Sequence, residues 1–217
     1  MRIAPDQFVA IDIETTGGNA DTDRIIEIAL IAFKKGEVIH RWQTFVNPGR
    51  PIPPMITRLT GIAWGDVADA PPFGRFAPYV QRYMERAGAV VAHNLAPIER
   101  RLLGAELERN GGAWPEGLDE ICTLSCARRL RAEGVLSAER LRLDALCKSL
   151  GVRLRQHHRA EADAEAAGWC LLEMDRRLVA AHLAAAQHRP ALPALAADAA
   201  FDAIGAASRR SRKKRGQ

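Results

Sequence analysis

Three short stretches of the 217-residue chain concentrate residue types that can do chemistry. The first is FVAIDIETTGG, residues 8–18, in which one residue separates Asp12 from Glu14. In an extended strand successive side chains alternate between faces, so both carboxylates point the same way. Like charges that close repel unless a bound cation, a basic side chain or solvent stands between them. The second stretch is AHNLAPIERRLL, where Glu99 enters a helix just after an apolar run. The third is HHRAEADAEAAGW, where His158 precedes a helix and Asp163 lies in its first turns. Four carboxylates and a histidine converging on one point suit catalysis with divalent metal. Mg²⁺ and Mn²⁺ are hard ions that prefer oxygen ligands. Two of them, about 4 Å apart, can clamp the attacking and leaving oxygens of a phosphodiester. A histidine that titrates near neutrality can deprotonate the attacking water.

These residues need a scaffold, and the hydrophobic pattern supplies one. FVAIDI, RIIEIALIAF and EVIHRWQTF read as three strands of a meander, separated by a Gly-Gly turn and a Lys-Lys-Gly turn. VNPGRPIPP reads as an extended Pro-rich loop, PFGRFAPYVQRYMER as a helix, and AGAVVAH as a short, buried central strand. Beyond it the pattern is helical. IERRLLGAELERNG and TLSCARRLRAEG each end at glycine, SAERLRLDALCKSLG starts at a serine cap, Ser137, and a long helix runs from Glu161 toward Pro190. Strands, a helix, a strand and further helices predict an α/β layered domain with a mixed sheet.

At 47% hydrophobic residues the chain can bury a proper core, and no run of apolar residues is long enough to span a membrane. MRIAPDQ lacks the apolar core of a secretion signal, which predicts a soluble, cytoplasmic protein. Cys122, Cys126, Cys147 and Cys170 fit reduced, buried thiols better than a disulfide framework or a zinc site with His157 and His158. The net charge of +5 belongs to the end of the chain. SRRSRKKRGQ carries six basic residues, and taking six from +5 leaves −1 for the rest. The expected division is a domain over residues 1–187 and an Ala/Pro-rich linker with a basic disordered tail over 188–217, with one short helix at 195–204. Such a tail can bind nucleic acid through counterion release.

DIETTGGNADTDRIIEIA resembles the first motif of the DEDDh (DnaQ-like) 3′→5′ exonucleases, and HRAEADAEAA matches their third motif, H-x-A-x-x-D-A. HNLAPIERRLL is similar to the second motif, and FVNPGRPIPPMITRLTGIAWGDVADAPPF to the segment whose TGI turn lies against substrate. The resemblance runs from Phe8 to Met174. It implies a ribonuclease H-like fold, in which helices flank the mixed sheet in three layers, and release of mononucleotides from 3′ ends. It also implies roles, carried over by position. Asp12 would bridge two metal ions, Mg²⁺ or Mn²⁺, with Glu14 and Asp163 completing the tighter site and Glu99 serving the second ion. His158 would be the general base. Thr15, Thr60, Gly61 and Ile62 would hold the terminal nucleotide, and Asn94 would support the second motif.

Several positions depart from the family pattern or read two ways. Glu99 stands where the family has aspartate, Ile98 where it has an aromatic residue, and Cys122 where many relatives have aspartate. In ERR, Glu99 also has ordinary helix-surface composition, and His157 reads as a capping or surface histidine. Trp64 is placed either to stack on a base or to serve as a core or loop aromatic. DIETTGG is closer to the proofreading type, such as the epsilon subunit of bacterial DNA polymerase III, than to the oligoribonuclease type. The expected partner is the 3′ end of single-stranded DNA, with a DNA polymerase possible beside it. The alternatives are an RNA 3′-exonuclease and a non-catalytic nucleic-acid-binding module whose second metal site has decayed through Glu99.

Overall fold

The computed structural model describes residues 2–187, and the expected linker, short helix and basic tail at 188–217 lie outside the described residues. The chain divides into units of residues 1–181 and 182–217, and the described residues of the second, 182–187, are helical. Every strand among the described residues lies in the first unit.

The three N-terminal strands form as expected: β1 (Gln7–Thr15), β2 (Ile25–Lys34) and β3 (Glu37–Phe45) pair antiparallel. β4 (Ala89–Ala92) and β5 (Asp119–Cys122) then add in parallel, giving the order β3-β2-β1-β4-β5. The sheet is therefore mixed. β2 is buried along all but its last residue because helices cover both faces. On one face, Val9, Ile11, Ile28 and Leu30 pack against α3 (Ala77–Ala87) and α4 (Arg101–Arg109). On the other, Phe8, Ala10, Ile31 and Phe33 meet α7 (Ala160–Gln187). Alternation along β1 thus sends Asp12 and Glu14 to the α7 face.

Helix α7 comes unusually close to the sheet at Gly168, where a methyl group would overlap the Phe33 ring. That ring stacks on Phe8 at 4.8 Å and meets Trp169 edge-on at 5.3 Å. Helices α5 (Thr123–Ala132) and α6 (Leu143–Leu150) pack on α7 through Leu130, Leu146, Cys147 and Cys170. Cys147 and Cys170 are buried free thiols, whereas Cys122 and Cys126 are only partly buried. No helix among the described residues is long and apolar enough to cross a membrane.

Three regions differ from expectation. Strand β5 falls within a stretch that reads as helical or loop, because DEIC is four residues long and starts with two exposed charges at a sheet edge. Helices α1 (Pro54–Thr60) and α2 (Trp64–Val67) occupy the segment around the TGI turn, anchored by Ile56, Ile62 and Val67 on Ile26 and Ile52. Ser137 does not cap a helix: α6 starts at Leu143, with Arg142 extended before it. Its helical spacing is carried by Leu143, Leu146, Cys147 and Leu150, while Leu136 and Ala138 are buried at a spacing of two in non-helical chain.

Candidate active site

The five predicted catalytic residues come to one cleft of about 540 Å³ from four separate segments. β1 supplies Asp12 and Glu14 just before its ladder shifts register between Glu14 and Thr15. Such a bulge turns the end of a strand and re-aims its side chains. The chain after β4 supplies Asn94 with φ 76, and a single π turn (Ala96–Arg100) leading into α4 supplies Glu99. The loop before α7 supplies His158, also left-handed at φ 63, and the first turn of α7 supplies Asp163.

The loop after β1 is held by a buried acid. Glu106, 1% exposed, takes a bidentate contact from Arg24 (2.6 and 3.0 Å) and another from Arg109 at 2.7 Å. Inside that loop Asp23 accepts from Thr16 Oγ1 and from the Asn19 N–H. A Cβ at Gly17 would overlap the Asp23 carboxylate and displace it from these contacts, whereas Gly18 has open space around it. The two glycines of ETTGG are therefore not equivalent.

Burial, reinforced by carboxylate crowding, dominates the electrostatics. Burial, then Glu99, Glu14, Asp163 and Glu27, hold Asp12 well above its ordinary value, so Asp12 is the hub of the acidic group. Burial, with Asp163 and Glu27, pushes Glu14 up to about 8, and Arg159 opposes the rise. Burial pushes Glu99 to about 8 as well, and raises Asp163 against the opposing pull of His157. His158 is lowered by burial and by its neighbour His157, which keeps a base available near neutrality. His93, a half-buried cleft-lining residue with Nδ1 2.9 Å from Thr123 Oγ1, is driven to about 4 by desolvation and is neutral.

Among the described residues, two sets of three lie close enough to share an ion, each with ligand atoms within 4.8 Å: Asp12, Glu14 and Asp163, or His157, His158 and Asp163. Geometry separates them. The imidazole rings of His157 and His158 stack at 3.8 Å with planes 22° apart. A ligating nitrogen uses a lone pair in its ring plane at about 2 Å, so nearly parallel stacked rings have no common point at bonding distance. The all-oxygen set has no such obstacle and suits a hard divalent ion. Glu99 adds a fit of its own: it is 2% exposed, and its Oε2 has no hydrogen-bond partner. A buried carboxylate oxygen left unpaired is costly unless something positive meets it.

The composition of ERR suggests a surface position for Glu99, but the π turn rotates it inward. His157 is part-buried, with its Nδ1 3.1 Å from both carboxylate oxygens of Asp163, and the His158 N–H donates to Asp163 Oδ2 at 3.0 Å. Thr15, Thr60 and Asn94 line the cleft, whereas Gly61, Ile62 and Trp64 do not. Gly61 ends α1 in a left-handed conformation, Ile62 is buried beneath it, and Trp64 is 46% exposed away from the cleft. In their place Met55 and Leu59, one turn apart on α1, and Ile98 form an exposed apolar rim at 66%, 50% and 38%. The one sequence signal for that rim is the i, i+4 spacing of Met55 and Leu59.

Comparison with known proteins places the chain in a family. The pattern of the family RNase_T, described as exonuclease, matches residues 9–168. The chain is 35% identical over 172 residues to the PolC-type DNA polymerase III of Bacillus cereus, and 36% identical over 176 residues to that of Bacillus subtilis. These alignments cover 79% and 77% of this chain but 12% and 11% of the relatives, so the chain spans about an eighth of their length. Among solved structures, Exonuclease X in complex with 5′ overhanging duplex DNA superposes with a TM-score of 0.56 at 26% identity, covering 77% of this chain and 89% of that one. Escherichia coli exonuclease I in complex with a dT13 oligonucleotide gives 0.68 at 19% identity, covering 82% and 43%, which is a likeness of fold.

Proposed function

Since the chain belongs to the RNase_T exonuclease family, we propose that it hydrolyses the 3′-terminal phosphodiester of single-stranded DNA and releases nucleoside 5′-monophosphates. The observation that carries this reading is the convergence of Asp12, Glu14 and Asp163 oxygens within 4.8 Å beside a histidine-bearing loop. Asp12, Glu14 and Asp163 would hold one divalent ion, Mg²⁺ or Mn²⁺, and Asp12 with Glu99 a second. When bound, such ions supply charge neutralisation at the phosphate and lower the pKa of water.

The chain's own groups do the rest. His158 takes the proton of the attacking water as its oxygen bonds to phosphorus; the P–O3′ bond breaks with its electron pair on O3′, which takes a proton from solvent to leave as the 3′ hydroxyl of the shortened strand, and His158 returns its proton to solvent. His157, donating to Asp163, orients that carboxylate. Thr15, Thr60 and Asn94 supply polar contacts to the terminal nucleotide, and the rim of Met55, Leu59 and Ile98 supplies an apolar surface for its base. DNA is favoured over RNA because the matched relatives are DNA polymerases and the superposed structures carry DNA. Similarity to PolC-type DNA polymerase III supports a proofreading role in the cytoplasm beside a DNA polymerase. The buried, cleft-facing Glu99 argues against a decayed second site.

The test is direct. Labelled single-stranded DNA and RNA of matched sequence are incubated with protein and Mg²⁺ or Mn²⁺, with Asp12→Ala as control. Stepwise release of deoxynucleoside monophosphates from the 3′ end, absent in the control, is expected. Full activity in Asp12→Ala would overturn the site, and faster degradation of RNA would overturn the substrate.

A further inference from the structure

A fifth carboxylate stands beside the four of the site. Glu27 on β2 is the direct register partner of Glu14 and shares its sheet face, yet it is fully buried and does not line the cleft. Its oxygens are already engaged. Arg159 grips it bidentately, with Nη2 at 2.7 Å and Nε at 3.1–3.2 Å. Gln43 Nε2 donates to Oε1, and the Ala160 N–H donates to Oε2 at 3.0 Å. On the other side the Arg159 guanidinium lies 5.3 Å over the Phe45 ring.

The position of these bonds matters as much as their number. Ala160 is the first residue of α7, and the Arg159 carbonyl accepts the N–H of Asp163 at 3.0 Å. Arg159 is thus where the helix starts, but an arginine side chain offers no acceptor for the free N–H groups there. Glu27 supplies that acceptor from a neighbouring strand, with a negative charge suited to a helix N-terminus. The residue before the clamp is His158, held left-handed at φ 63, a conformation that persists in a non-glycine residue only when its surroundings enforce it. Four residues after the clamp comes Asp163.

We infer that Glu27 and Arg159 form a positioning pair. Together they fix where α7 begins, and so set His158 and Asp163 relative to Asp12 and Glu14. Arg159 also keeps Glu27 from joining the metal-binding carboxylates. Both are positioning residues, since neither touches the reacting atoms in this arrangement. The inference rests on the functional reading above, and its test separates the two.

The variants are Arg159→Met, Arg159→Lys, Glu27→Gln and the double Glu27→Gln/Arg159→Met. Steady-state cleavage of a 3′-labelled DNA oligonucleotide, Mn²⁺ binding followed by electron paramagnetic resonance, and melting temperature are measured on each. A displaced base costs turnover more than binding, so Arg159→Met is expected to lower kcat by about 10- to 100-fold with KM unchanged. Arg159→Lys keeps the charge, and with it the fold, but loses the two-point grip. It is expected to lose a smaller part of kcat. The double variant is expected to exceed Arg159→Met in kcat, because it leaves no buried, uncompensated carboxylate. Glu27→Gln is expected to bind as many Mn²⁺ ions as the unaltered protein. Wild-type kcat in a folded Arg159→Lys, or a double variant no better than Arg159→Met, would overturn the inference. Loss of a Mn²⁺ ion in Glu27→Gln would make Glu27 a ligand and overturn it too. Absence of mononucleotide release by the unaltered protein would instead refute the functional reading.

Discussion

Glu14 and Glu27 face each other directly across the β1–β2 ladder, and they meet opposite fates. Glu27 is gripped by Arg159, while Glu14 opens into the cleft with its carboxyl pushed to about 8. The same sheet face therefore carries one neutralised acid and one left without a partner of its own. The unpartnered acid sits with Asp163, which His157 partners, and with Asp12, which faces the same shortage of positive charge.

That shortage sets the pH dependence of stability in metal-free protein. Glu14 and Glu99 are raised from an ordinary value of 4.5 to about 8, so between those values the folded state holds protons that the unfolded state has lost. Their contribution is complete below the ordinary value and is lost as pH rises through the raised one. The melting temperature of chelator-treated protein is expected to fall as pH climbs from about 5 to about 8, and Mg²⁺ to recover more stability at the upper end. An equal slope in Glu14→Gln/Glu99→Gln protein would contradict this account.

Glu99 lies outside the tight trio of Asp12, Glu14 and Asp163, and its extra methylene is folded into a buried position. It should therefore serve the weaker of two ion-binding steps. Calorimetric titration with Mn²⁺ is expected to show that step missing in Glu99→Gln and the tighter one kept. The Mg²⁺ dependence of the rate should shift in Glu99→Asp; superimposable curves would sink the assignment.

The rim of α1 gives a prediction about binding. Stacking a base on an aromatic side chain contributes about 1–3 kcal/mol, and contact with an aliphatic rim stands at the low end of that range. Leu59→Ala removes half of an exposed pair and is expected to raise KM for oligonucleotides by about fivefold, equivalent to about 1 kcal/mol, with little change in kcat. Trp64→Ala, being off the cleft, is the comparison, and an equal KM increase there would relocate the base-binding surface.

Gly168 sets two effects against each other. Alanine is favoured over glycine in a helix by about 1 kcal/mol. Overpacking a core typically costs about 1–3 kcal/mol, and here the added methyl meets an aromatic ring stacked on a second one. Gly168→Ala should therefore lower the melting temperature, with partial recovery in Phe33→Leu/Gly168→Ala. A higher melting temperature in the single variant would show that α7 can lift away from the sheet.

Much of the site can be read from local pattern. Alternation in FVAIDIETT places Asp12 and Glu14 on one face, and the step from HHR to AEADAEAA places a histidine just before a helical aspartate. The burial of Glu99 follows from a π turn that ERRLL does not announce, and the role of Leu59 depends on how α1 meets the cleft. DEIC becomes a strand because β4 offers it an edge, not because of its own composition.

The sequence by itself determined the strand meander, the long C-terminal helix and the residue types that gather at the cleft, since periodicity and chain direction are local properties. Tertiary structure alone decided which acids are paired and which are left without a partner. Glu14 and Glu27 are the same residue type on the same face, and what separates them is an arginine brought in from 132 residues away. Partnering of that kind depends on distances through space, and no local pattern carries it.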